Sequence, residues 1–166
     1  SPVGNTSAHF AEYAREMQER FLSPGDLAVE IGGNDGVMLV ALKDVRTLNI
    51  EPAENIAPMA RARGVETICE FWSADLAQKI VQTHGKAKLV CGSNAIAHID
   101  NQAEVAQGVS RLLADDGVWV IQAPYLGDIF DTLGYGQIYH EHLSFFALRP
   151  LKHFYAKFGM EPFDVK

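Results

Sequence analysis

Cysteine is scarce in this chain: Cys69 and Cys91 are the only two in 166 residues, and they sit in apolar runs, not in a ligand-like C-x-x-C pair. A disulfide scaffold is thereby excluded, and the two thiols read as buried groups of an intracellular protein. A chain of this length needs neither disulfides nor metals to fold, because it can bury about 70% of the surface its unfolded form exposes. Clustered positive charge is also lacking. Fourteen Lys and Arg stand against 21 Asp and Glu, the formal net charge is -7, and no run of Lys or Arg reaches three. Binding along a nucleic-acid backbone depends on such clusters, so nucleic acid is not an expected partner. No stretch of 18 consecutive apolar residues occurs, and Ser1-Pro2-Val3-Gly4 is not a cationic start leading into an apolar core. Neither a membrane partner nor a targeting segment is expected, and the expected location is cytoplasmic.

What is present is an alternation. Hydrophobic residues make up 48% of the chain, enough for one core and an ordinary globular domain. Up to Leu22 the apolar positions Phe10, Tyr13, Ala14, Met17 and Phe21 recur at helical spacing between charged residues, which predicts an amphipathic helix. Ser23-Pro24-Gly25-Asp26 ends it. Short apolar runs at 27–31, 47–50, 65–71, 87–91 and 118–122 then read as strands. The intervening stretches at 37–42, 56–63, 74–83 and 105–113 read as helices. Such a rhythm demands right-handed crossovers and a mostly parallel sheet covered on both faces, a doubly wound α/β fold. Ligands of that fold bind beyond the C-terminal strand ends, at the switch in strand order. Residues 124–142, rich in Gly and Tyr and without a period, form a long connection suited to function. A last helix is expected at 151–158, capped by Gly159, with an extended piece starting at Met160.

Four motifs lie where that fold places chemistry. The first is Glu30-Ile31-Gly32-Gly33-Asn34-Asp35-Gly36. Its glycines allow a ligand close to the backbone, and a helix N-terminus at 37 would offer free N–H groups. The order is not the G-x-G-x-x-G of a dinucleotide site, and the two acids, Glu30 and Asp35, repel a pyrophosphate. They suit a ligand carrying an ammonium and a sulfonium, which is S-adenosylmethionine. The second motif ends the second strand, where Glu51, before Pro52, can accept hydrogen bonds from ribose hydroxyls. The third is Asn94-Ala95-Ile96-Ala97-His98, in which Asn94 can bind the amino-acid end of the cofactor and His98 can face the reacting centre. The fourth is Tyr139-His140-Glu141-His142. An extended backbone here puts His140 and His142 on one face, whereas a local bend brings Tyr139 and His142 together. A H-x-H pair also suits a metal, but no third ligand is evident nearby and no metal is expected. Imidazole, phenol and carboxylate are the parts of a proton-abstraction site.

In combination, E-I-G-G-N-D-G, N-I-E-P-A, N-A-I-A-H-I-D, A-P-Y-L and I-Y-H-E-H-L-S-F-F, in this order over nearly the whole chain, resemble the S-adenosylmethionine-dependent sugar C-methyltransferases. The Y-H-E-H-L-S segment is the most specific of them. The resemblance implies a Rossmann-like class I methyltransferase core without its last antiparallel strand. It implies S-adenosylmethionine as cofactor and methylation next to the ketone of a nucleotide-linked 4-keto-deoxysugar. It implies that His142 removes the proton beside the ketone, that Tyr139 is a neighbouring acid or base, that Glu141 supports the histidine and that His98 lies in the same site. Cofactor contacts are expected from Glu30, Gly32, Asn34, Asp35, Gly36, Glu51, Pro52, Asn94 and Ala95. The expected division is an N-terminal helix and linker over 1–22, with Asn5-Thr6-Ser7 as linker, and the methyltransferase domain over 23–166. Relatives of this kind carry a four-cysteine zinc module before that core and a further domain after it, so the chain is expected to be the central piece of a longer enzyme. The other readings are a different small-molecule methyltransferase and a non-catalytic fragment that binds S-adenosylmethionine; a nicotinamide oxidoreductase fits the glycine spacing less well.

Overall fold

The structure, a computed structural model, describes the backbone of residues 2–166 and the side chains of residues 8–166. The side chains of Asn5, Thr6 and Ser7 therefore lie outside the described residues, and their backbone falls within the first helix. Helix α1 (Pro2–Phe21) leads into β1 (Leu27–Ile31), β2 (Arg46–Ile50), α2 (Ala57–Ala62), β3 (Glu66–Ile68), α3 (Ala74–His84) and β4 (Ala87–Ser93). The chain continues through α4 (Gln102–Leu112), β5 (Leu113–Gln122), α5 (Leu126–Asp131) and α6 (Leu148–Ala156).

The five strands form one parallel sheet in the order β3-β2-β1-β4-β5. Strand order reverses between β1 and β4, so the crevice beyond their C-terminal ends is the ligand position of a doubly wound fold. β1 is buried along its whole length, as a central parallel strand covered on both faces must be. Leu27, Val29, Ile31, Leu48 and Val90 pack with Leu76 and Ile80 of α3 and Val105, Val109 and Leu112 of α4. On the opposite face Ala28, Leu89 and Cys91 meet Ala14 and Met17 of α1, Met38 and Leu39 after the glycine loop, and Ala60 of α2. The apolar stripe read from α1 is therefore the side that closes this second layer.

Three local expectations change. The segment at 37–42 forms only a single 3-10 turn, Leu39–Ala41, because the chain is turned back early by Asp44 at φ +57°. The side-chain amide of Gln18 on α1 donates to the Lys43 carbonyl at 2.8 Å and accepts from its N–H at 2.9 Å, pinning that return. No helix N-terminus thus follows the glycine loop. β3 is shorter than its apolar run, since only Glu66 to Ile68 pair with β2. Residues 124–142 hold the short helix α5 and a 3-10 turn, Tyr135–Gln137, which the absence of a period concealed.

Gly159 at φ +74° does close the last helical segment, its N–H reaching the Ala156 carbonyl at 3.2 Å. Residues 160–166 pair with no strand. They lie along α1, with Asp164 bound to Arg20 at 2.5 Å and the Phe163 ring edge-on to Phe21. Among the described residues no helix is long and apolar enough to cross a membrane.

Candidate active site

The loops after β1, β2 and β4 meet at the switch point. Gly32 (φ +68°) and Gly36 (φ +74°) adopt the left-handed backbone that disfavours any other residue. A Cβ on Gly32 would stand 2.5 Å from that of Ala95, so the glycine loop and the loop after β4 touch there. Asn34 is left-handed too, at φ +53°, without being glycine. Its N–H donates to Glu51 Oε2 at 3.0 Å, while its carbonyl accepts from Asn49 Nδ2 at 3.0 Å. The Glu51 Oε1 atom accepts from the Ala53 N–H at 2.9 Å. This fixes a buried carboxylate at the end of β2 with lone pairs left for further donors. Pro52 lies beside it, and its carbonyl accepts a weak hydrogen bond from Cys69 Sγ at 3.7 Å. Asn94, exposed and at φ +56°, is tied by its N–H to the Gln122 carbonyl at 2.8 Å.

The two acids of the glycine loop differ. Asp35 is already paired with Arg63 at 2.6 Å, so its charge is neutralised locally. Glu30 is 2% exposed. Burial pushes its carboxyl up to about 7; the Ser93 hydroxyl draws it partly back, and the charge of Asp35 adds to the rise. The loop's acidity therefore does not present two open carboxylates, as the sequence suggested, and Glu30 supports the loop from beneath.

A group whose pKa rises on folding stabilises the fold most at low pH. Below the ordinary carboxyl value of 4.5 no penalty arises, stability falls as pH rises from there toward 7, and it levels above. Glu30→Gln is expected to lose that decline and to be the more stable of the two above pH 7. Urea denaturation at a series of pH values checks this, and parallel curves for both proteins would refute it.

A second constellation forms where the 139–144 segment docks on the loop after β4. The N–H groups of Leu143 and Ser144 both donate to the Ala97 carbonyl, at 2.9 and 3.1 Å. A turn closes from the His142 N–H to the Tyr139 carbonyl at 3.1 Å. Of the two arrangements open in the sequence, the bend is the one formed, and it brings Tyr139 and His142 together. Tyr139 Oη lies 3.2 Å from His142 Nε2, and His142 Nδ1 lies 2.7 Å from the Gln137 carbonyl. A carbonyl can only accept, so Nδ1 carries the proton and Nε2 offers its lone pair to the phenol. His98 Nδ1 lies 2.8 Å from the Glu141 carbonyl, and the His98 and His142 rings are 4.9 Å apart.

The expected support of His142 by Glu141 takes another form. The main-chain carbonyl of Glu141 orients His98, while His142 is oriented by Gln137, which no sequence signal marked. Main-chain acceptors are available from any residue type, so the pattern of side chains does not betray them. Asn49 was missed for a different reason, since an asparagine inside a strand reads as a weak β residue until its partner is seen. Among the described residues no group of three His, Cys, Asp or Glu could hold a metal ion.

A parallel doubly wound sheet, a glycine loop without dinucleotide spacing and an acid at the end of β2 define a nucleoside-cofactor domain of the methyltransferase type. Residues 7–164 match the family model described as a methyltransferase domain, and the chain belongs to that family, whose members depend on S-adenosylmethionine. It is 37% identical over 99% of its length to the C-methyltransferase NovU of Streptomyces niveus, and it spans 40% of the length of that relative. Solved structures with the same fold include an S-adenosylmethionine-dependent methyltransferase of Archaeoglobus fulgidus, with TM-score 0.71 and 13% identity, covering 92% of this chain and 68% of that one. Another, from Thermotoga maritima, is described as a possible histamine N-methyltransferase; its TM-score is 0.65 at 19% identity, with coverage of 95% and 72%.

Proposed function

We propose that the chain is the cofactor-binding and catalytic core of a C-methyltransferase that acts next to the ketone of a nucleotide-linked 4-keto-deoxysugar. The observation that carries this reading is the Tyr139–His142 pair, 3.2 Å apart and held by main-chain contacts within a loop docked on the cofactor end of the sheet. The relative described as a C-methyltransferase supports it.

S-adenosylmethionine fits the residues at the switch point. Gly32 leaves backbone accessible, whereas Gly36 is buried against Val65 and Ala60 and shapes the turn from within; Glu51 retains acceptor capacity for ribose hydroxyls, and Asn94 and Ala95 border the glycine loop. Asn34 and Pro52 shape the wall on the β2 side, and Asp35, held by Arg63, closes the outer turn. When bound, this cofactor supplies an electrophilic methyl group.

The side chains account for the remaining steps. The Nε2 lone pair of His142 takes the proton from the carbon beside the ketone, and its Nδ1–H stays on the Gln137 carbonyl, which stabilises the imidazolium that forms. The developing enolate oxygen needs a donor, and the Tyr139 hydroxyl can give one. The remaining task of the protein would be alignment, holding the enolate carbon in line with the methyl group that bound S-adenosylmethionine would supply.

Calorimetry with S-adenosylhomocysteine tests the cofactor. Binding is expected, with Glu51→Ala weakening it about tenfold, the worth of a charge-assisted hydrogen-bond pair. Binding of NAD in preference to S-adenosylhomocysteine would overturn the reading.

A further inference from the structure

Glu30 and Asn49 are register partners across β1 and β2, so their side chains leave the sheet on the same face. Both are buried, and neither Glu30 Oε2 nor Asn49 Oδ1 receives a hydrogen bond from any described residue. The two oxygens lie against the same side of Gly33, where a Cβ would stand 2.4 Å from Asn49 Oδ1 and 2.7 Å from Glu30 Oε2. The amide cannot turn round to help, because its Nδ2 is committed to the Asn34 carbonyl at 3.0 Å. Two acceptors side by side in a dry place are each unmet, and buried acceptors are rarely left so. A single proton on the carboxyl satisfies both, since a carboxylic acid donates where a carboxylate only accepts.

We infer that Glu30 is a neutral carboxylic acid donating to Asn49 Oδ1, and that this pair is a clamp that sets the backbone of Asn34 for the cofactor. Asn49 is then a positioning residue, acting through Asn34 and not on the cofactor itself. The Asn34 peptide groups are gripped on both sides, the carbonyl by Asn49 and the N–H by Glu51, which is what holds a non-glycine residue left-handed. The groups that act on Glu30 agree with a neutral acid. Burial and the charge of Asp35 in the loop both disfavour its charged form, and the Ser93 hydroxyl alone favours it. The guanidinium that reaches the loop from the end of α2, that of Arg63, is held by Asp35. The role in cofactor binding rests on the proposed methyltransferase function; the protonation of Glu30 does not.

The test begins without cofactor, on the unaltered chain labelled with 13C at the glutamate carboxyls. One glutamate resonance is expected to stay at the protonated position when the others have ionised, to titrate near 7 and to vanish in Glu30→Gln. S-adenosylhomocysteine affinity is then expected to fall about tenfold or more between about pH 6 and about pH 8.5, one decade for each unit above the midpoint. Glu30→Gln, which keeps a donor at every pH, should bind with a flat profile, and Asn49→Leu should bind about tenfold more weakly throughout. A Glu30 resonance that titrates with the ordinary carboxylates overturns the inference. Affinity that rises with pH overturns it too, because the donor would then be water or the cofactor's ammonium. Titration near 7 with no S-adenosylhomocysteine binding at any pH supports the proton assignment and counts against the methyltransferase reading instead.

Discussion

His142→Asn is expected to lower deuterium exchange beside the ketone of a nucleotide-linked 4-keto-deoxysugar by a factor of about 10² to 10⁴, the range lost with a positioned general base. Asparagine can still donate to the Gln137 carbonyl, so the loop keeps its anchor while the basic lone pair disappears. Cofactor affinity should be nearly unchanged, because His142 belongs to the 139–144 segment and not to the loops after β1 and β2. Tyr139→Phe is the companion variant. It removes the hydroxyl 3.2 Å from Nε2 and should reduce exchange less, since the base remains. Mass spectrometry of the recovered sugar reads both. Equal exchange in the unaltered protein and in His142→Asn would place the base elsewhere.

Gly32→Ala should cost about 2–3 kcal/mol of stability, through a left-handed backbone and a close contact together. For a chain of this size that corresponds to a fall in Tm of roughly 5–10 °C. The contact is specific: the added Cβ meets that of Ala95 at 2.5 Å, so relief requires the loop after β4 to move. S-adenosylhomocysteine binding should suffer with it, as both loops border the same crevice. Scanning calorimetry with and without S-adenosylhomocysteine separates the effects. A variant that melts like the parent would show that the loop yields at little cost.

Most of the fold was legible along the chain. Strand β1 spans 27–31 as its apolar run predicted, and β2, α2, α3, β4, α4 and α6 fall within a few residues of their patterns. The alternation of short apolar runs with helical ones admits few other arrangements, since right-handed crossovers and burial on both faces leave a parallel sheet. The failures at 37–42 and 65–71 share one cause. At 37–42 a helical pattern became one turn because Gln18, distant in sequence, captures Lys43. At 65–71 an apolar run paired over three residues because β2 offers no more at that edge. Periodicity reports which side of a segment is apolar, not what partner is within reach.

The candidate site divides in the same way. Residue types and spacing by themselves determined that a glycine loop, an acid after β2 and a Tyr-His-Glu-His segment would gather at the C-terminal end of a parallel sheet, because the order of strands and loops is written along the chain. Which atoms meet was decided only by the tertiary structure. The bend at 139–142, the choice of Gln137 as the partner of His142 and the use of the Glu141 carbonyl for His98 depend on main-chain groups, which every residue type carries alike. The buried state of Glu30 depends on α1 covering the sheet and on Asn49 beside it in register. A carboxyl's charge is set by its surroundings, and in this protein those surroundings come from α1, β2 and β4, elements far apart in the chain.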